Sequence, residues 1–226
     1  MNKSKVPAAY PPEEGCYLRG NDFSPVAVVI LLVWSREETP PEIEHLVRTG
    51  LETGAALFGT LQTENVGIEK VICNVIANPN IRYLIVCGPE SPGHVTGGAL
   101  RCLYEKGIDK NRRIIDSESP APYLYNIPVE WVARFRQQTE FIDLINEGSP
   151  EVIRDAVWSC YQEEPTRFKE YTLYDRGALE AEPICGKITW KIVNPAYAPK
   201  DEKEQEALIR MQALIQKLKE RNENKG

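Results

Sequence analysis

The sequence lacks several features that would assign a class of function at once. It has only two histidines, His45 and His94, and none of its six cysteines stands in a C-x-x-C pair. Zinc and iron–sulfur sites, which need clustered thiolate or imidazole ligands, are therefore not predicted. The chain also has no G-x-G-x-x-G and no G-x-x-x-x-G-K-[ST] motif, so the usual dinucleotide and phosphate loops are not predicted. A nucleophile–His–Asp arrangement has no sequence signature here either.

Excess basic charge and long apolar segments are absent as well. The net charge of −6 disfavours both a nucleic acid and an anionic membrane surface as partner. The longest apolar run, Val26 to Trp34, has nine residues, whereas a membrane-spanning helix needs about 20. The N-terminus, MNKSKVPAAYPPEEG, lacks the apolar core of a signal peptide. We therefore expect a cytoplasmic protein without a membrane span, whose cysteines are free thiols.

Apolar runs typical of buried strands alternate with segments of helical periodicity. Strands are predicted at 26–34, 81–87, 112–116 and 140–145, and helices at 41–49, 67–77, 95–106 and 129–138. The first 24 residues are expected to form an irregular arm, and the glycine-spaced segment 52–67 a loop. This alternation predicts an α/β fold, a Rossmann-like parallel sheet flanked by helices, over residues 1–147.

After residue 147 the pattern changes. Ser149 and Pro150 predict the start of a helix, and segments 170–175 and 187–193 alternate as antiparallel strands do. Residues 201–221 form a charged helix with an apolar stripe. The sequence thus predicts a small α+β extension with a terminal charged helix, residues 148–226, of unknown role. Three roles stay open for the helix: packing on its own domain, binding a helical partner, or joining copies into a homo-oligomer.

One glycine-rich segment, CGPESPGHVTGGAL (87–100), joins a predicted strand to a predicted helix. Ligands bind at the carboxyl ends of parallel strands, and glycines let the backbone approach a large ligand. A neutral imidazole such as that of His94 is a common metal ligand. No second histidine or cysteine lies near enough in sequence to build an ordinary metal site. One protein nitrogen suffices only if something else supplies most of the coordination, as a tetrapyrrole-like macrocycle does. The plainer alternative is that His94 caps the helix or orders the loop. His45 is expected to be a surface residue.

Several stretches together resemble one known family. They are SPVAVV (24–29), ETGAALFGTLQTENVGIEKVICNVIANPNIRYLIVCG (52–88), GHVTG (93–97), LYEKGID (103–109) and PVEWVARFRQQTEFIDLI (128–145). Over roughly residues 15–147 the chain resembles the A subunit of tetrahydromethanopterin S-methyltransferase, which carries a corrinoid. The combination of TENVGIEKV with NPNIRYLIVCG and GHVTG is specific.

The resemblance implies a Rossmann-like domain that holds a cobamide, a cobalamin-type corrinoid with cobalt. It implies that His94 is both the catalytic residue and the metal ligand, at the lower axial side of cobalt. Pro92 stands where other corrinoid proteins have the aspartate of D-x-H-x-x-G, so the second partner of the imidazole stays open between Glu90 and Glu64. The full set of predicted cofactor-binding residues is Thr63, Glu64, Asn65, Gly67, Gly88, Pro89, Glu90, Gly93, His94, Thr96, Gly97, Gly98, Ser119, Pro120 and Ala121.

The function implied by the resemblance is that of a methyl carrier. Cobalt would accept a methyl group, from a methylated tetrahydropterin or a similar donor, and pass it to an acceptor with the help of methyltransferase partner subunits. Two alternatives are a non-catalytic cobamide storage, delivery or sensing protein and a cofactor-free interaction scaffold. Two departures from the family are expected to matter: Gln62 replaces the histidine that often precedes TEN, and the membrane-anchoring helix of the anchored family member has no counterpart. Residues 149–226 show no match to the family at this level.

Overall fold

A computed structural model of the chain describes residues 2–31 and 41–189, together with positions 203, 206, 207, 209 and 210. The chain divides into two compact units, Met1–Thr189 and Trp190–Gly226, and all the elements below belong to the first. The predicted Thr39 helix cap and most of the predicted helix over 201–221 lie outside the described residues. The ends of two predicted strands, 32–34 and 190–193, lie outside them too, and the described residues 187–189 do not form a strand.

The first unit is built on a five-stranded sheet with the order β1-β3-β2-β4-β5. The strands are β1 (Tyr17–Arg19), β2 (Val26–Leu31), β3 (Leu57–Leu61), β4 (Tyr83–Gly88) and β5 (Glu140–Ile145). β2 to β5 are mutually parallel, and β1 lies antiparallel to β3 at one edge. Every residue of β2 and β4 is buried, as expected for central strands covered on both faces. The predicted mostly parallel sheet is confirmed.

Helices connect and cover these strands. α1 (Pro41–Glu52) links β2 to β3, and α2 (Val66–Ile76) links β3 to β4. α3 (Thr96–Lys106) and α4 (Val129–Gln138) both lie between β4 and β5, and α5 (Pro150–Cys160) follows β5. A short antiparallel hairpin, β6 (Thr166–Phe168) and β7 (Tyr171–Leu173), comes after α5.

The apolar core forms two layers, one on each face of the sheet. Along β2, Ala27, Val29 and Leu31 pack in the layer that contains residues of α2, α3 and α4. Val26, Val28 and Ile30 pack in the opposite layer with residues of α1 and α5. Alternate side chains of a strand point to opposite faces, so a continuous apolar strand feeds both layers. The predicted Rossmann-like arrangement of helices on both faces is therefore observed.

The apolar stripe of α5 makes this helix part of the first unit. Ile153, Ala156, Val157 and Cys160 are fully buried in the second core layer. The sequence places a boundary after residue 147, whereas the compact unit continues through α5 and the hairpin to Thr189. α5 is thus part of the cover of the sheet.

Three other local predictions differ from the structure. β3 lies within the segment predicted as a loop, and β1 within the segment predicted as an irregular arm. The glycine in β3, Gly59, permits the edge strand β1 to approach closely. A Cβ at Gly59 would come within 2.6 Å of the Tyr17 Cβ on β1. The strand predicted at 112–116 is reduced to isolated bridges, Ile108 with Ile114 and Arg113 with Tyr123.

Candidate functional site

The site lies at the carboxyl edge of the sheet. β3 and β4 flank β2 and run parallel to it, so the segments that follow β3 and β4 emerge at the same edge. The segment after β3 carries Glu64, and the segment after β4 carries His94. Ligands of open α/β sheets bind at this edge. The fold therefore places the two predicted residues on either side of the end of β2.

His94 and Glu64 form a hydrogen-bonded pair. The Nδ1 atom of His94 lies 3.0 Å from Oε2 of Glu64. The imidazole is 59% exposed, whereas the carboxylate is only 4% exposed. The other oxygen, Oε1, accepts a hydrogen bond from the backbone N–H of Ala121 at 3.1 Å. In a neutral imidazole that donates to an ionised carboxylate through Nδ1, the Nε2 atom keeps its lone pair. The open choice between Glu64 and Glu90 is thereby resolved in favour of Glu64.

Glu90 has a different task, at the N-terminus of α3. Its Oε1 accepts from the backbone N–H groups of Ser91 at 2.8 Å and Gly97 at 3.0 Å. Its Oε2 accepts from the N–H of Gly98 at 2.7 Å. The free N–H groups at a helix start attract anions, and here the side chain itself is the anion. Glu90 therefore orders the loop that carries His94, by capping α3, the helix that follows this loop.

The start of α2 is capped by the chain as well. Oδ1 of Asn65 accepts from the N–H of Val66 at 2.7 Å, and Oγ1 of Thr63 accepts from the N–H of Gly67 at 2.9 Å. At the start of both helices, backbone N–H groups thus donate to side chains of the loop that precedes the helix. An anionic ligand would have to displace a side chain at either helix start.

A third segment, residues 119–121, completes the site. The Ser119 hydroxyl donates to the carbonyl of Val95 at 3.0 Å. The Asn65 side-chain amide approaches the carbonyl of Ala121 at 3.4 Å, and the N–H of Ala121 binds Glu64. Pro120 and Ala121 are exposed, whereas Ser119 is buried. The predicted residues Ser119, Pro120 and Ala121 therefore lie against the segments that carry His94 and Glu64.

At three of the predicted cofactor-binding glycines, packing within the protein itself leaves no room for a side chain. A Cβ on Gly97 would come within 2.5 Å of Leu31 Cδ1, and one on Gly67 within 2.8 Å of Thr63 Oγ1. A Cβ on Gly98 would come within 2.9 Å of Val95 Cγ1. Gly93 differs, because it has a positive φ of 83° and no heavy atom of the described residues lies within 4 Å of an added Cβ. The backbone of the loop is therefore open at Gly93, next to His94 in the chain.

Burial separates the predicted residues into two groups. The exposed ones, which a ligand can reach, are Thr63, Pro89, Gly93, His94, Pro120 and Ala121. The buried ones, which support the site, are Glu64, Gly88, Thr96, Gly97 and Ser119. Asn65, Gly67, Glu90 and Gly98 are partly buried. A cofactor contact stays a prediction for every residue of the set.

Three contributors to the site were not predicted from the sequence. The side chain of Asn146, which follows β5, accepts from the N–H of Glu90 at 3.0 Å. Ser91 bonds Thr96 through their hydroxyl groups at 3.0 Å. Val95 contributes through its backbone, as the acceptor for Ser119. The position of Asn146 just after a predicted parallel strand was a usable signal, whereas nothing in the sequence marked Val95.

A known family matches most of the chain. The MtrA family model, which describes the A subunit of tetrahydromethanopterin S-methyltransferase, matches residues 3–192. The chain belongs to this family. The match to the MtrA family continues beyond residue 147, so the segment for which the sequence alone showed no match is included as far as residue 192.

Individual members of the MtrA family give the same result. The chain is 40% identical to form 2 of the tetrahydromethanopterin S-methyltransferase A subunit from Methanothermobacter thermautotrophicus over 189 residues, 83% of this chain and 91% of the relative. It is 42% identical to form 1 from Methanobrevibacter ruminantium over 169 residues, 74% of this chain and 64% of the relative. It is 39% identical to the corresponding protein of Methanococcus maripaludis over 172 residues, 75% and 68% of the two chains.

Two properties of the described residues bear on this member of the MtrA family. Among them, no group of three or more His, Cys, Asp or Glu side chains is arranged to hold a metal ion. Within the same part of the chain, no helix combines the length and apolar character that crossing a bilayer requires. The site thus offers one imidazole, held by one carboxylate.

Proposed function

We propose that this chain binds a cobamide and carries a methyl group on its cobalt as part of a methyltransferase system. When bound, the cobamide supplies a metal centre that accepts and releases a methyl group. The observation that carries the proposal is the His94–Glu64 pair. An exposed imidazole is oriented by a buried carboxylate at the ligand-binding edge of a parallel sheet. Family membership adds methyl transfer as the type of reaction.

A single imidazole suits a metal whose other ligands come mostly from its own cofactor. A macrocycle leaves only an axial position to the protein, and His94 offers one nitrogen for it. The imidazole is 59% exposed, so a bulky group can reach that nitrogen. The buried Nε2 of Gln62 has no hydrogen-bond partner among the described residues, and such a group is normally satisfied by a ligand or water. These features support the proposal independently of the family.

Each residue of the pair has a defined task in this proposal. His94 would hold the cobalt of a bound cobamide through its Nε2 atom. Glu64 keeps the hydrogen on Nδ1 and fixes the plane of the ring, as carboxylates commonly do for metal-bound histidines. The exposed residues Thr63, Pro89 and Pro120 would contact the periphery of the cofactor. Because the relatives are named as subunits of a methyltransferase, we also propose that partner subunits supply and remove the methyl group.

Reconstitution with a cobamide tests the proposal. Purified cofactor-free protein is mixed with cobalamin, unbound corrinoid is removed, and the absorbance spectrum is recorded in each cobalt oxidation state. We expect retained corrinoid and a His94→Ala spectrum that differs from wild type in axial coordination. His45→Ala is the matched control, since it removes the other histidine, and its spectrum should equal that of wild type. Identical spectra for His94→Ala and wild type would contradict the ligand role.

Two further outcomes distinguish the alternatives. If the protein retains corrinoid but its reduced cobalt is not methylated by a pterin-dependent methyltransferase, storage, delivery or sensing becomes the better description. If it retains no corrinoid, the scaffold alternative is favoured. Cytoplasmic location and a homo-oligomer formed through the C-terminal helix remain predictions. Fractionation and light scattering are the measurements that test them.

A further inference from the structure

The residue after His94 has an unusual backbone conformation. Val95, at the N-cap of α3, has φ 48° and ψ 48°, which is the left-handed helical region. A β-branched residue is a genuine outlier there, since its Cβ crowds the backbone. Such strain persists only when the surrounding structure imposes it. The conformation of Val95 sets the direction in which the chain leaves His94 and enters the helix.

Three hydrogen bonds restrain Val95. Its N–H donates to the carbonyl of Ser91 at 2.9 Å, and its carbonyl accepts from the N–H of Ala99 at 2.9 Å. These two bonds belong to the loop and helix that contain it. The third comes from a remote part of the chain: the Ser119 hydroxyl donates to the same carbonyl at 3.0 Å. Ser119 is therefore the described side chain that holds Val95 from outside its own segment.

Ser119 is placed to act on the imidazole rather than on a ligand. Its exposure is only 3%, so a bound molecule has little access to it. Two residues later, the N–H of Ala121 binds Glu64 at 3.1 Å. The segment 119–121 is thus bonded both to the neighbour of His94 and to the hydrogen-bond partner of His94. Segment 119–121 therefore connects the loop of His94 with the side chain of Glu64.

We propose that Ser119 is a positioning residue for His94, because its hydroxyl holds Val95 in the left-handed conformation that directs the imidazole toward Glu64. The effect on ring geometry exists in the cofactor-free protein. Its consequence for cobalt ligation rests on the proposed function. Ser119 was predicted from the sequence as a cofactor-binding residue, and this inference gives it a different role.

Nitrogen-15 NMR of the imidazoles tests the positioning role without cofactor. The chain has two histidines, so a His45→Gln background leaves His94 as the single imidazole signal. We expect the Nδ1–H form to dominate in wild type. In Ser119→Ala the ratio of Nδ1–H to Nε2–H forms should fall roughly fivefold, the factor that corresponds to one ordinary hydrogen bond. An unchanged ratio in a folded Ser119→Ala variant would overturn the proposal.

Ser159→Ala is the matched control. Ser159 is also a buried serine, 5% exposed, whose hydroxyl donates to a backbone carbonyl, that of Asp155, at 2.7 Å. It lies in α5, on the opposite face of the sheet. This substitution removes the same kind of bond and should leave the His94 ratio unchanged. A change equal to that of Ser119→Ala would show a general effect of stability and would overturn the specific role.

A double variant tests whether Ser119 acts through Val95. Glycine adopts the left-handed conformation without steric cost, so Val95→Gly removes the need for an external restraint. In that background Ser119→Ala should change the His94 ratio less than about twofold. If Ser119 acts only through the conformation of Val95, the effects of the two substitutions are not additive. An effect as large as in the valine protein would overturn the mechanism. If the NMR effects appear but wild type binds no cobamide, the proposed function fails and the positioning role stands.

Discussion

The imidazole of His94 and the carboxylate of Glu64 are joined by a 3.0 Å hydrogen bond between residues 30 positions apart in sequence. Glu64 is nearly buried and accepts a second bond from the backbone of Ala121. Two donors therefore converge on one side chain. A carboxylate has two acceptor oxygens for them, whereas a glutamine amide has one. This difference makes the charge of Glu64, and not only its shape, part of the site.

Substitution of Glu64 by glutamine should therefore weaken the pair. Either the imidazole or the Ala121 N–H loses its acceptor in Glu64→Gln, and the Nδ1–H form of His94 should become less populated in nitrogen-15 spectra. Cobamide affinity should fall about 10–100-fold, the usual cost of removing such a partner. Equilibrium binding of cobalamin to the cofactor-free protein measures it. Glu118→Gln, an exposed glutamate outside the pair, is the control. Equal affinities of Glu64→Gln and wild type would argue against the orienting role.

Glu90 should contribute to stability through the start of α3. Its side chain accepts from three backbone N–H groups, those of Ser91, Gly97 and Gly98. Glu90→Ala should lower the free energy of unfolding by about 1–2 kcal/mol, as loss of a helix cap does, in urea titrations. Glu105→Ala removes the same charge near the other end of α3 and should have little effect.

The same variant should expose an anion-binding helix start. Inorganic phosphate in the millimolar range should raise the melting temperature of Glu90→Ala more than that of wild type, because a ligand that binds the folded state stabilises it. The expected difference follows from the Glu90 carboxylate occupying these N–H groups in wild type. Equal phosphate effects on the two proteins would show that the side chain does not block the helix terminus.

A buried carboxylate on α2 should make stability depend on pH. Glu69 is fully buried and accepts from the backbone and side chain of Asn126 at 2.7 and 2.8 Å. Burial raises its pKa, and the Asn126 bonds offset this in part. A carboxyl group with a raised pKa in the folded state stabilises the protein when protonated. That contribution is lost as the pH rises through the folded-state pKa.

The test is a pair of pH series. The free energy of unfolding of wild type relative to Glu69→Gln should decrease as the pH rises above the ordinary pKa of glutamate toward neutrality. Glutamine does not titrate, so groups common to both proteins cancel in the difference. Urea unfolding across mildly acidic to neutral pH measures it. A difference that stays constant or increases with pH would contradict the raised pKa.

The cysteines should differ widely in reactivity. Burial raises the pKa of the Cys73 and Cys87 thiols to about 12, whereas Cys16 is exposed. Only thiolates react with alkylating reagents, so iodoacetamide near pH 8 should modify Cys16 about a thousandfold faster than the two buried thiols. Peptide mass spectrometry of native and denatured protein compares the rates. Rapid labelling of Cys73 in the native protein would contradict the burial.

The sequence predicted the central part of this fold because the signals there are strong. Continuous apolar runs marked β2 and β4, and the Ser149-Pro150 start marked α5, whose cap is observed with Ser149 accepting from the N–H of Val152. β1 and β3 were missed, because a three-residue edge strand and a strand containing Gly59 carry little apolar pattern. Their formation depends on pairing with each other and with β2, which is a tertiary effect.

At the site, the sequence identified His94 and two candidate carboxylates but not their tasks. Glu90 is closer in sequence, yet the turn at Gly93 and the entry into α3 direct it back onto the helix N-terminus. Glu64 is distant in sequence, yet the segments after β3 and β4 place its carboxylate beside the imidazole. Which carboxylate meets the ring is thus decided by strand order. Local spacing contains no information on that order.

The position of β2 between β3 and β4 also has a consequence for protein synthesis. Of these three strands the ribosome releases β2 first, then β3, then β4, and the two later ones must add on opposite sides of β2. A nascent chain that has paired only β2 with β3 already contains Glu64 but has no imidazole beside it. If His94 holds a ligand as proposed, the nascent chain can bind it only after β4 has joined β2, so ligand retention would report the docking of β4, before β5 completes the sheet.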